Sequence, residues 1–379
     1  MDRLPIFAAL LASAFIAIGL VWDISWHRTI GRDTFWSPPH LLEQAGAAIA
    51  GLTCGYIALW TTFRGGDEAR ARSVRFWKFF YAPLGAWACI WGAFMIITSA
   101  PFDDWWHNAY GLDVKIISPP HMVLASGMIA IQLGAMVLAL AAQNRARDES
   151  ERRLLGAVFI GTAAMIVTMA ATVIMEQASY ANEMHASQFY RVTAFMFPGL
   201  LIAFARGSRL SWPATRIAIV YMVISLVGIW ILQLVPATPK LAPIYNPVTH
   251  MVPPPFPLLL FAPAIFIDLM LKRFGTGRDW LLSVILGVGF VVVMLAVHWP
   301  WAEFMVSAAS RNFFFGGDIW DYQTRLGPWR YQFWNLDVDA AGKWSIAEFA
   351  KGILGALVIG IVTSRLGLAW GRGLAGIKR

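Results

Sequence analysis

The sequence predicts an all-α, polytopic membrane bundle of about ten transmembrane helices with both termini in the cytoplasm. Three observations carry that prediction. Hydrophobic residues make up 58% of the 379-residue chain and charged residues only 14%, too little charge to cover a soluble protein of this length. The apolar residues fall into ten runs of about membrane length. Lys and Arg gather in alternate connections between those runs, the arrangement that membrane topology produces. The net charge of +8 is therefore a topological signal, and no nucleic-acid partner is expected.

The runs lie near residues 5–22, 41–62, 77–99, 122–142, 154–175, 190–206, 215–235, 256–271, 280–297 and 347–369. Asp2 and Arg3 precede the first, and no small-residue cleavage site follows it, so it reads as a membrane helix and not a signal peptide. The sixth and eighth are short and contain Pro198 and Pro263, which membrane helices tolerate when neighbours satisfy the freed carbonyls. One set of connections carries Arg64, Arg70, Arg72, Arg75 and Lys78, then Arg145, Arg147, Arg152 and Arg153. Arg206, Arg209 and Arg216, then Lys272, Arg273 and Arg278, continue the series. By the positive-inside rule that side is cytoplasmic, which makes the chain a multi-pass inner-membrane protein. His27, His40, His107, His121, His185, His250 and His298 all fall at or beyond the opposite, periplasmic boundary. The two cysteines, Cys54 and Cys89, lie singly inside predicted spans and read as small core residues, with no disulfide framework or CxxC metal site.

Residues 1–150 read as a four-helix region of two hairpins, 1–73 and 74–150. Residues 151–379 add six helices of unassigned role and a long outer loop, 298–346. The first hairpin contains WDISWHRTIGRDTFWSPPH. Asp23 and His27, four apart, share one face at a helix end. Ser37-Pro38-Pro39 reads as an N-cap with proline in the first turn, placing His40 at the start of the next helix. One carboxylate and two imidazoles can thus converge on a metal ion, a donor set that suits copper, zinc or non-haem iron. The second hairpin repeats the pattern as DDWWHNAYGLDVKIISPPH. Asp103 and His107 are four apart, and Ser118-Pro119-Pro120 leads to His121. Gly46 and Gly127 both follow six residues beyond the last histidine of their copy.

These residues resemble the C subunit of the copper membrane monooxygenases, the methane and ammonia monooxygenase family. That family has Asp-x3-His-x12-His in a context similar to WHxTxxRDTxxxPxH, matched here by Trp26, His27, Thr29, Arg32, Asp33, Thr34, Pro38 and His40. Its second set, Asn-x3-His-x13-His, matches the spacing of Asp103, His107 and His121, with aspartate where the family has asparagine. The resemblance covers roughly residues 15–135. It implies copper at Asp23, His27 and His40 and a second metal position at Asp103, His107 and His121. Arg32 and Asp33, and Asp113 in the second copy, are then placed to orient the ligands. It also implies partner subunits, including an electron donor or a soluble copper domain. The extra helices five to ten are absent from the family pattern.

Beyond residue 150 the chemistry-bearing residues are sparser. Glu176, Glu183, His185 and His250 could form a third site on the outer face, or serve as caps and inter-loop hydrogen bonds. In DVDAAGKWSIAEF, Asp337, Asp339 and Glu348 occupy positions 1, 3 and 12 of a calcium loop. Ala341 replaces the oxygen ligand at position 5, however, and Ser345 with Glu348 also makes a helix capping box. Three functions stay open on the sequence: part of a copper-dependent membrane oxidoreductase acting at the outer face, outer-face copper or zinc capture and delivery without catalysis, or a structural membrane subunit. Lipid is the constant partner of all three.

Overall fold

The computed structural model describes residues 3–31, 34–111, 118–175, 182–240, 248–275, 277–316 and 337–378. Its helices are α1 (Leu4–Thr29), α2 (Pro38–Phe63), α3 (Asp67–Ala71), α4 (Leu84–Tyr110), α5 (Pro119–Arg145) and α6 (Glu149–Met175). They continue as α7 (Ser187–Gly207), α8 (Pro213–Leu232), α9 (Phe261–Phe274), α10 (Asp279–Met305) and α11 (Ile346–Ala375). Among the described residues, nine of these are long and apolar enough to cross a membrane. The chain is therefore an all-α, multi-pass helical bundle. Its only sheet among the described residues is the antiparallel pair β1 (Val74–Phe76) and β2 (Phe80–Ala82).

Three of the expected spans are drawn differently. The third begins at Leu84, not residue 77, and runs to Tyr110. Pro83 disfavours helical backbone at the residue before it, and the aromatic run ahead of it, Phe76 to Tyr81, suits a strand pair. The eighth span, expected at 256–271, is replaced by the 14-residue α9, Phe261–Phe274, about 21 Å long at 1.5 Å per residue. Ahead of it the chain is irregular and buried from Met251 to Leu258, because Pro253, Pro254, Pro255 and Pro257 supply no N–H to a helix. Finally, α10 continues to Met305, so His298 lies inside a helix and does not open a loop.

A buried non-helical backbone needs partners for its polar groups, and side chains supply several of them here. Ser25 Oγ donates to Val252 O at 2.7 Å, and Val252 N donates to Thr29 Oγ1 at 2.8 Å. Asn182 Nδ2 donates to Phe256 O at 2.8 Å, and Tyr221 OH to Pro257 O at 3.4 Å. The broken element is thus a built feature, held by hydroxyls and an amide that apolar-run counting does not weigh.

Two compact units make up the chain: Met1–Leu20, Asp33–Ile166 and Ile377–Arg379 form one, and Val21–Arg32 with Val167–Gly376 the other. The division falls inside α6, where the sequence suggested residue 150. In the first unit α4 and α5 approach so closely that glycine is required: a Cβ on Gly92 would lie 2.6 Å from Gly127 O. Gly85 and Gly134 meet the same way one heptad along. Such small-residue contacts let membrane helices pack backbone to backbone. Ser13 on α1 and Gln132 on α5 hydrogen-bond each other, both wholly buried. In the second unit α7 and α11 pack through Gly199 and Gly367, with Thr363 Oγ1 donating to Ala194 O at 2.8 Å.

Candidate metal centre

The end of α1 and the start of α2 bring Asp23, His27 and His40 together. Each offers one ligand atom, and the three atoms lie within 4.8 Å of one another. Among the described residues this is the one set of three His, Cys, Asp or Glu side chains that converges so closely. The helical spacing of Asp23 and His27 sets the first half: His27 Nε2 is 3.7 Å from Asp23 Oδ2. The side chain of His27 is 42% exposed and that of Asp23 15%, so the cluster opens outward at one ring.

His40 is oriented by the backbone. Its Nδ1 lies 3.0 Å from Thr34 O. A carbonyl can only accept, so Nδ1 carries the proton and Nε2 keeps the lone pair, the arrangement by which proteins aim metal-binding imidazoles. Arg32 and Asp33 lie outside the described residues. The Thr34 carbonyl adds an orienting contact that no side-chain pattern could have revealed. Ser37 stands at the N-cap, with proline following it in the first turn, but its side chain makes no capping hydrogen bond.

In the second copy, Asp103 stands between two imidazoles. Its Oδ2 is 3.3 Å from His107 Nε2, and its Oδ1 is 3.7 Å from His121 Nε2. His107 Nδ1 is 3.2 Å from Gly111 O, so this ring too is held by a carbonyl and presents Nε2. Ser118 is again an N-cap without a side-chain bond. Asp113 lies outside the described residues. Trp105, Trp106 and Tyr110 meet edge-on or tilted near His107, with Trp106 and Tyr110 centroids 4.4 Å apart.

The remaining histidines take other partners. His185 is fully buried, with Nε2 3.5 Å from Glu303 Oε1 and its ring edge-on to Trp299. Sequence reading missed Glu303, although an acidic residue late in an apolar run was the visible signal. Glu183 is buried, whereas His250 is exposed and lies 2.9 Å from Thr249 Oγ1 through Nδ1. Glu176 is outside the described residues. His298 stacks on Phe189, centroids 3.6 Å apart, with Nδ1 3.4 Å from Tyr190 OH.

The residues of the expected calcium loop are committed separately. Asp337 is buried and accepts from Ser187 N at 2.6 Å and Ser187 Oγ at 2.5 Å, capping α7. Asp339 Oδ1 accepts from Ala341 N and Lys343 N at 2.9 and 3.0 Å in a turn closed by Gly342 at φ +73°. Ser345 Oγ accepts from Glu348 N at 3.4 Å, and the Glu348 carboxylate pairs with Lys351. Ser345 thus caps α11, but the reciprocal half of the expected box is not made, since Ser345 N donates to Asp337 O at 2.8 Å. Cys54 and Cys89 are both free and buried.

Compared with family models, with curated proteins and with solved structures, the chain shows no match.

Proposed function

We propose that this chain is an integral membrane copper protein, similar to the C subunit of the copper membrane monooxygenases. In this reading it works with other subunits in a copper-dependent oxidoreductase. The observation that carries the reading is the convergence of Asp23, His27 and His40 within 4.8 Å, the three candidate ligands that the first Asp-x3-His motif and its Ser-Pro-Pro-His end supply. Two nitrogen donors and one carboxylate oxygen fit Cu(II), and zinc or ferrous iron as the other metals of that donor class. Copper held there would supply one-electron redox chemistry. The protein's own contribution is to fix His40 through Thr34 O, to neutralise charge with Asp23, and to leave His27 accessible. Asp103, His107 and His121 form the second metal position. The ligand-bearing helix ends face outward, and the Arg- and Lys-rich ends face the cytoplasm.

The 42% exposure of His27 also favours a second reading, in which the same ligands capture copper or zinc and pass it on without catalysis.

The test is metal analysis and electron paramagnetic resonance of detergent-extracted protein beside a His40→Ala variant. A type-2 copper signal lost in the variant, with oxygen consumption supported by a reductant, is the expected result. Copper bound without oxygen consumption selects delivery. A well-folded His40→Ala protein with full copper and an unchanged spectrum sinks the site. Labelling of single cysteines introduced at positions 70 and 149 checks the orientation, since neither should react from outside intact cells.

A further inference from the structure

At the opposite end of the second unit from the histidines, a cavity of about 400 Å³ opens between the end of α7, the α7–α8 turn and the end of α9. Its volume is within the range of small-ligand sites. Ala205, Leu210, Pro213 and Leu271 give it apolar walls, while Arg206 and Lys272 line it with cations.

The charges there are unevenly committed. Asp268 accepts from Ala214 N at 3.2 Å, Thr215 N at 2.8 Å and Thr215 Oγ1 at 2.7 Å. The N-cap of α8 is Trp212, which has no oxygen to offer, so the carboxylate on α9 caps α8 in its place. Asp279 is shared by Arg206 at 2.8 Å and Arg372 at 3.3 Å. Ser211, in the cavity wall, accepts from Arg216 Nη2 at 3.1 Å, which brings a further guanidinium to the rim. Around the cavity, Arg206, Arg216 and Lys272 thus stand against Asp268, whose oxygens already accept from Ala214 and Thr215, and Asp279, which Arg206 and Arg372 share. The surplus is cationic.

Trp212 sharpens the assignment. It sits in the left-handed region at φ +53°, which is costly for a bulky residue and is kept where the surroundings require it. That backbone turn places a 41%-exposed indole in the cavity wall, and tryptophan is the residue of the membrane–water boundary. Cations, a hydroxyl, an interfacial indole and apolar walls together match a headgroup and its glycerol junction, because basic pockets between membrane helices recognise anionic headgroups.

We propose that this cavity binds the phosphate group of an anionic membrane phospholipid. The proposal is independent of the metal reading. Full-length protein in detergent would be titrated with phosphatidylglycerol, with phosphatidylcholine and with inorganic phosphate, and bound lipid counted by native mass spectrometry. The expected result is one retained phosphatidylglycerol, preferred over phosphatidylcholine, and not displaced by millimolar inorganic phosphate. An Arg216→Gln/Lys272→Gln variant should lose that preference by about tenfold or more, since each surface cation contributes to anionic-lipid affinity. Both side chains are exposed, so the lipid-free variant should unfold at the wild-type temperature. Equal retention of the two lipids, an unchanged preference in the variant, or displacement by inorganic phosphate alone would overturn the proposal.

Discussion

In the α1–α2 hairpin, a Cβ added to Gly46 would meet Ala12 O at 2.9 Å and Ile16 Cγ1 at 2.9 Å. In the α4–α5 hairpin, a Cβ added to Gly127 would meet Gly92 O at 2.7 Å and Ile96 Cγ1 at 2.8 Å. Ala12 and Ile16 precede Asp23 by the same intervals that separate Gly92 and Ile96 from Asp103. The two copies therefore share one helix register, and both hold a glycine where the second helix closes on the first. Their ligand ends nevertheless differ. Three donor atoms gather in the first copy, whereas in the second the carboxylate lies between the rings and gives one oxygen to each. The two copies thus share the place where their helices close, while their histidine spacings differ by one residue.

The largest effect should come from attacking the scaffold. Gly46→Leu and Gly127→Leu each force a side chain into a backbone carbonyl, and overpacking of that kind costs about 3 kcal/mol. Both variants should show markedly lower yield and unfolding temperature in detergent. If one is tolerated and the other is not, the two hairpins do not share a packing register.

A smaller effect should separate the ligand ends. Asp103→Asn keeps the shape and removes the charge held between His107 and His121. Metal affinity at the second position should fall by more than the roughly 10- to 100-fold typical of groups that only support a metal ligand, because Asp103 is itself one of the proposed donors. Titration against a competing chelator would measure it, and the spectrum of the first site should not change. An altered first spectrum would mean that the two motifs share one ion.

Much of this architecture was legible because membrane insertion constrains composition so strongly. Long apolar runs located nine of the helices, and the paired Asp-x3-His motifs singled out side chains that come together in each hairpin. The misplacements share a cause: each involves proline or backbone. Pro83 moved the start of α4, the prolines from 253 to 257 delayed the start of α9 to Phe261, and Pro300 lies within α10. The orienting carbonyls of Thr34 and Gly111 were invisible because every residue has one. Glu303 needed the fold to bring α10 beside His185.

The smallest effect concerns the serines that open α2 and α5. As N-caps, Ser37 and Ser118 are expected to bond a first-turn N–H, and replacing such a cap by alanine costs about 1 kcal/mol. Proline in the first turn removes backbone donors that a cap would serve. Both hydroxyls are buried without a hydrogen-bond partner among the described residues. A buried, unsatisfied hydroxyl stabilises nothing, so Ser37→Ala and Ser118→Ala should leave stability within about 0.5 kcal/mol of wild type. Ser345 is the internal control, since its Oγ does accept from Glu348 N, and Ser345→Ala should show the full loss. Thermal unfolding of the three variants under one detergent condition makes the comparison. A loss at Ser37 or Ser118 as large as that at Ser345 would show that these hydroxyls cap their helices, and that the Ser-Pro-Pro-His repeat is maintained by helix initiation. Unchanged stability leaves the placement of His40 and His121 as what the two copies have in common at these turns.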